Sequence, residues 1–535
     1  MNDLLNALNK AAGRRWSLLL PGAFAVLLRL ALLPWLPVPR PATTDEFSYL
    51  LAADTLSHGR LTNPAHPLWR FFETIHVISI PTYASKYPPG HAFFLAIGQR
   101  LSGSPFVGSL LECVLFVSGV VWMLRIWVPP GIALVGGFFT AVAFGTGHYW
   151  LESYWGGGAA GAAGVALVLG AIGRIREQGG FVAAWPLASG TVLLWFTRPF
   201  EGGVLVLSAG ALLLFDVAGK RFPKGSDWAR SGLRYFIAVL LTCGALTLMF
   251  QAYYDFRVTG HALLLPYTLH HQQYDYAPLF WFQRPPAPAL YTNPVVRESH
   301  QWEFQRYEER RNLFTRKGVW ITDLERVLVP PASKERLKVL ESVAILVPIL
   351  VLSFRFRSDT ALREIWFLLL LSMVPLLLES FTAPHYMVAV TVILIALSFR
   401  LIWLCLAHQW RKPSTGTYLA GLLTAMLFCG AAGNNIFRVW HELRHPFPFR
   451  RERAHVVKEL TAHDGMQVVL VHYSPLHDPN IEWVYNGADI DASRVVWARD
   501  LGPEQDKQLI DYFRGRNFWL LDGDSQDPEP LPYKP

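Results

Sequence analysis

Apolar runs long enough to cross about 30 Å of hydrocarbon recur near 16–36, 104–124, 131–150, 156–173, 181–197, 202–218, 233–254, 337–354, 363–381, 385–408 and 415–434. They predict an all-α polytopic membrane protein of about 11 transmembrane helices. The short connections carrying Arg125, Arg174, Arg176, Lys220, Arg221, Lys224, Arg355, Arg357, Arg411 and Lys412 all fall on one side when the runs alternate. Basic loops stay in the cytoplasm, so the N-terminus is expected there and the C-terminal region outside. The apolar stretch after Arg14 and Arg15 is too long for a signal peptide, and no small-residue cleavage site follows it.

Two connections on the outer side are long, residues 37–103 and 255–336, and long polar loops on one face commonly carry function. The first contains YPPGHAFFLAIGQRL (87–101), too short to span and expected as a helix at the outer interface. The second predicts an amphipathic helix around 299–315, with a solvated connector as the plain alternative. The Gly/Ala-rich run 156–164 lies within a span, where it suits close helix packing better than phosphate binding. The chain therefore divides into a transmembrane domain, 1–434, and a soluble region, 435–535. In the latter, 466–473, 494–501 and 517–524 read as strands and 503–515 as a helix, a small α/β extracytoplasmic domain.

Composition sharpens this picture. With 52% hydrophobic and 16% charged residues and a mean hydropathy of +0.26, the chain is too evenly apolar for a soluble multi-domain enzyme. The net charge of +8 reports topology rather than a nucleic-acid partner, because the basic residues sit in short connections. The four cysteines, Cys113, Cys243, Cys405 and Cys429, all fall in apolar runs, so neither a disulfide framework nor a cysteine zinc site is expected.

Candidate chemistry gathers on the outer side. Asp45 and Glu46 follow the first span closely; TTDE before FSYLLAADTL is equally a helix-start signal. Lys86 and His91 flank the rigid Pro88-Pro89 turn, where a cation could meet a phosphate. Glu152 ends the third span, Arg198 and Glu201 lie between the fifth and sixth, and Glu379, His385 and Tyr386 between the ninth and tenth. Each has a plain alternative: a structural ion pair for Arg198 and Glu201, a helix end for Glu152, and a satisfied interfacial histidine for His385. Arg29, inside the first span, could snorkel or pair with an inward acid, and is the weakest candidate.

DEFSYLLAADTLSHG after the first span, KYPPGHAFFLAIGQRLSG before the second and YWLESYW after the third form an ordered set over about the first third of the chain. In these segments the chain resembles the GT-C superfamily of polytopic membrane glycosyltransferases, close to the aminoarabinose and protein O-mannosyl transferases. The resemblance implies transfer of a sugar from a polyprenyl-phosphate-linked donor to a lipid, glycan or protein acceptor on the outer face of a bacterial-type inner membrane. It implies Asp45 as the base on the acceptor, in an inverting reaction that needs one carboxylate. Glu46 and Glu152 would position the acceptor or, as in metal-using relatives, help hold a divalent cation, with Asp45 and Glu152 its candidate ligands. Lys86, Arg198 and His385 would stabilise the leaving phosphate. No protein-bound organic cofactor is implied. A transporter or flippase of lipid-linked sugars and a non-catalytic assembly factor are the competing readings. Charges at one interface and the lack of a repeat count against the transporter. The presence of Asp45, Glu46 and Lys86 together counts against the assembly factor.

Overall fold

The computed structural model describes residues 9–533 apart from 179, 219–230, 276, 288, 317–345 and 413. Part of the apolar run 337–354, part of the loop 255–336, and Lys220, Arg221 and Lys224 lie outside the described residues. Among the described residues, six helices are long and apolar enough to cross a membrane: Pro105–Leu124, Gly158–Ile175, Arg234–Thr259, Thr360–Leu378, Pro384–Ala407 and Ser414–Arg444. The chain is thus a multi-pass membrane protein. Four further apolar helices are shorter, Leu20–Ala31, Pro130–Phe144, Pro199–Phe215 and Leu346–Arg355, and a helix over Gly180–Thr197 completes the set.

Apolar burial does little to hold helices together in lipid, so close approach matters more. At Gly164 and Gly190 a Cβ would come within 3.1 and 2.8 Å of the other residue's carbonyl oxygen, and only small residues permit that contact. This is the close packing expected of the Gly/Ala-rich run. The helix Gly90–Ser102 likewise crosses Pro105–Leu124 at Gly98 and Gly108, where an added Cβ on Gly98 would lie 2.2 Å from the Gly108 nitrogen.

Charged contacts sort the two ends of the bundle. Arg125 donates to the Ala12 carbonyl at 2.6 Å and to Ser17 Oγ at 2.7 Å, and Arg174 donates to the Trp122 carbonyl at 2.8 Å. Arg400 pairs with Asp359, and Arg355 reaches His408. The opposite end of Pro105–Leu124 meets Arg29, whose guanidinium lies 4.9 Å from the Phe106 ring. The outer-loop candidates gather at this second end.

The first long loop is folded. Thr44–Ser57 is helical and begins with a capping box between Thr43 and Glu46, so the helix-start reading of TTDE describes its local structure. A small antiparallel sheet follows, in the order β1 (Asn63–Pro64), β3 (Thr82–Ser85), β2 (Val77–Ile78). Residues 467–532 form a second sheet in the order β5 (Val495–Arg499), β4 (Gln467–His472), β6 (Asn517–Asp522), β7 (Leu531–Pro532). β4 is parallel to β5 and β6, and β7 is antiparallel to β6. The helices Pro448–Ala462 and Pro503–Tyr512 accompany it.

The C-terminal sheet shares its core with the first loop. Phe47, Leu51, Phe71, Phe72, Val77 and Tyr83 are buried in one cluster with Phe449, Trp483, Tyr485 and Trp497. Tyr485 stacks on Phe47 at 4.6 Å, and Asp54 accepts from the Ala488 backbone at 2.7 Å. Arg499 donates to the Glu73 carbonyl at 2.7 Å, and Tyr485 to that of Ile75 at 2.8 Å. The helix that starts at Thr44 is therefore clamped from the C-terminal side.

Candidate active site

A hairpin and a helix start assemble the centre of the site. In the β2–β3 pair Val77 faces Ser85, which brings His76 beside Lys86; the Lys86 backbone N–H donates to the His76 carbonyl at 3.3 Å. Ser48 of the Thr44–Ser57 helix donates to the same carbonyl at 2.7 Å and lies 2.7 Å from Ser85 Oγ, locking helix to hairpin. His76 has φ +63, a left-handed conformation costly for a residue with a Cβ, and these bonds to its carbonyl hold it there.

Asp45, in the first turn of the helix, receives the Tyr87 hydroxyl on Oδ1 and has His76 Nε2 at 3.9 Å from that oxygen. Its side chain keeps 22% of its exposure. Burial pushes its carboxyl above the ordinary value, with Tyr87 and Lys86 opposing the shift. A carboxylate raised in this way is a stronger base. Lys86 is buried between the rings of Tyr87 and Tyr267, at 5.6 and 5.5 Å, with Asp275 Oδ2 at 3.9 Å.

Arg198, Tyr386 and His385 form an adjoining wall. Arg198 donates to the Gly156 carbonyl and covers the Tyr386 ring at 4.9 Å, while its Nε finds no partner. Gly156 and Gly157 have φ of +76 and +59; added Cβ atoms would strike His385 at 2.6 Å and His91 at 2.7 Å. Tyr49 connects the two groups. Burial raises its hydroxyl, Arg198 opposes this, and Asp45 and Glu201 add to it, so all three lie within electrostatic reach. Glu201 is buried near Arg198.

Other sequence candidates have structural partners. Glu46, 1% exposed, accepts from the backbone of Ala42, Thr43 and Tyr154 at 2.8, 3.1 and 3.0 Å, leaving neither oxygen for a substrate. Glu152 gives both oxygens to Arg29, at 2.7 and 2.8 Å. Arg29, the weakest sequence candidate, is therefore the buried partner of an outer acid. His91 sits between Glu112 at 2.8 Å and the Tyr154 carbonyl at 3.1 Å, with both ring nitrogens engaged.

Sequence reasoning passed over several neighbours of Lys86, all in the second long loop. His270 and Asp275 come from the helix Pro266–Gln273 and the residues after it, and His300 from the helix Pro294–Arg316. Among the described residues, these three form the group of His, Cys, Asp or Glu close enough to hold a metal ion; neither Asp45 nor Glu152 belongs to it. Burial brings His270 down to about 4. Burial also opposes the charge on His300, yet Glu303 and Asp275 raise it to about 9. Lys86, His270 and His271 hold Asp275 well below the carboxylate range, against the effect of burial. The signal for this group was LHHQQYD, two adjacent histidines shortly before an acid.

No family model matches the chain, and no curated protein matches it. Similar solved structures include the Archaeoglobus fulgidus oligosaccharyltransferase in complex with Zn and sulfate, at TM-score 0.47 and 12% identity, covering 85% of this chain and 60% of that one. The same enzyme tethered with an acceptor peptide gives TM-score 0.48 and 12% identity over 91% and 64% of the two chains. ArnT from Cupriavidus metallidurans in the apo state gives 0.39 and 13%, over 92% and 91%. The chain thus spans less than two thirds of the oligosaccharyltransferase and nearly the whole of ArnT.

Proposed function

We propose that the protein is a glycosyltransferase that moves a sugar from a polyprenyl-phosphate-linked donor to an acceptor on the outer face of a bacterial-type inner membrane. One observation carries this reading: a half-buried carboxylate, Asp45, stands within electrostatic reach of two buried cations, Lys86 and Arg198. In the reaction Asp45 takes the acceptor's proton as the acceptor oxygen bonds to the anomeric carbon. The bond from that carbon to the phosphate oxygen breaks, and the lipid phosphate leaves with the electron pair. Its growing charge is met by Lys86 and Arg198, fixed in place before the reaction. Attack opposite the leaving group inverts the sugar carbon.

Glu46, Glu152 and His91 are positioning residues in this reading, since their partners are protein groups. Tyr386, His385 and Glu201 line the donor side. The count of eleven spans takes the four shorter apolar helices and Gly180–Thr197 as crossing. Residues 1–434 are then the transmembrane domain and 435–535 the extracytoplasmic one, with the N-terminus cytoplasmic. The acceptor is a lipid, glycan or protein; no nucleic acid is involved.

The test is sugar transfer in membranes by Asp45→Asn at unchanged abundance. Loss of transfer is expected, and undiminished transfer would remove Asp45 as the base. Lys86→Ala and Arg198→Ala should each weaken donor binding; wild-type donor affinity in both would remove the phosphate contacts.

A further inference from the structure

We infer that His270, Asp275 and His300 form a zinc site in the second long loop, distinct from Asp45. The inference rests on ligand chemistry and burial, and stands whether or not the sugar-transfer reading holds. His270 and His300 are both 0% exposed and Asp275 is 7% exposed. His270 Nδ1 lies 3.4 Å and His300 Nδ1 2.8 Å from Asp275 Oδ1, and one ligand atom from each residue falls within 4.8 Å of the others. Ligands about 2.0–2.2 Å from a tetrahedral ion stand roughly 3.3 Å apart, so small rotations complete the shell.

Buried polar groups are normally hydrogen-bonded. Here both ring nitrogens of His270 and Nε2 of His300 have no hydrogen-bond partner, an unusual concentration in one place. A metal ion takes imidazole nitrogens and a carboxylate oxygen together, releasing the protons it displaces. Two imidazoles and one carboxylate suit zinc, whereas magnesium and calcium prefer oxygen shells. Zinc displaces the imidazole protons, so that His300 Nδ1, 2.8 Å from Glu303 in this structure, exchanges that contact for the ion, and Asp275 and Glu303 balance the ion's charge. Lys86 stays outside the shell, on Asp275 Oδ2 at 3.9 Å. Water occupies the fourth position. Because the ligands come from two helices of one loop and Lys86 from the other loop, the ion fastens the second loop beside the first.

Full-length protein in detergent, given zinc and then dialysed against metal-free buffer, should retain about one zinc per chain by mass spectrometry of the metal. His270→Ala and His300→Ala should each lower that content at least tenfold. Cobalt(II) in the wild-type protein should give the intense visible bands of a four-coordinate ion. His270→Cys should keep the metal and add a thiolate-to-cobalt charge-transfer band, a readout that only a folded site produces. The inference is overturned by wild-type protein that keeps no zinc, by zinc that persists in both alanine variants, or by the weak spectrum of six-coordinate cobalt.

Discussion

Asp45 and Glu46 are neighbours in the chain and opposites in the structure. Glu46 turns inward, where three backbone nitrogens use its carboxylate, and the Arg29–Glu152 pair beyond it is equally complete. Asp45 turns toward His76, Tyr87 and Lys86, in a region where His76 Nδ1, Arg198 Nε and the His270 nitrogens lack partners. A satisfied cluster stabilises a fold, whereas a cluster holding capacity in reserve can receive a ligand. Helix periodicity produces the split: successive side chains leave a helix about 100° apart, so one acid caps while the next faces the hairpin.

The sharpest way to break this contrast is Asp45→Asn. Transfer should fall on the order of 100- to 10,000-fold, the usual contribution of a general base. Stability should not fall. A carboxyl raised in the folded state favours folding below the ordinary carboxylate range, and that contribution is lost as pH rises through its raised value. At neutral pH the asparagine therefore relieves a burden, and the melting temperature in detergent should hold or rise; a clear drop would place Asp45 among the structural acids.

Arg29→Leu should act in the opposite sense. Leaving Glu152 unpaired should cost about 3–5 kcal/mol, read as lost abundance and melting temperature. Arg29→Leu combined with Glu152→Leu should recover much of that loss, and no recovery would show that the two do not act as a pair. Glu46→Ala, which orphans backbone donors at a helix start, should cost about 1–3 kcal/mol.

The pH profile offers a finer test. In the proposed reaction Asp45 acts ionised, so transfer should fail on acidification at a pH above that expected of an ordinary carboxylate. Tyr87→Phe removes an interaction that favours the ionised form, so it should move that limb to higher pH. A limb unmoved in Tyr87→Phe would exclude Asp45 as the titrating group. The smallest effect should come from Tyr485→Phe, which keeps the ring stack on Phe47 but loses the hydrogen bond to the Ile75 carbonyl, worth about 0.5–1.5 kcal/mol.

Local features were legible in the sequence. The TTDE capping box, the strands Gln467–His472, Val495–Arg499 and Asn517–Asp522, and the helix Pro503–Tyr512 fall within or close to the stretches their periodicity marked. Long-range pairings were not. Arg29 and Glu152 are separated by 123 positions, and nothing local to either announces the other. Lys86 was identifiable by its place before two prolines, but its contact with Asp275 depends on how two loops fold together. The His270 group was missed because two histidines and an acid in a polar loop look like solvated surface until burial is known.

The clamp on the Thr44–Ser57 helix also bears on how the protein is made. Phe47, Leu51 and Phe71 are synthesised long before Tyr485 and Trp483, which cover them. At about 5–20 residues per second, the interval between Phe47 and Tyr485 is roughly 20–90 seconds. Throughout it the helix bearing Asp45 lacks its cover and presents aromatic rings to any chaperone or protease at hand. Synthesis order is thus built into the fold: the core around the Asp45-bearing helix closes only after the C-terminal sheet has been made.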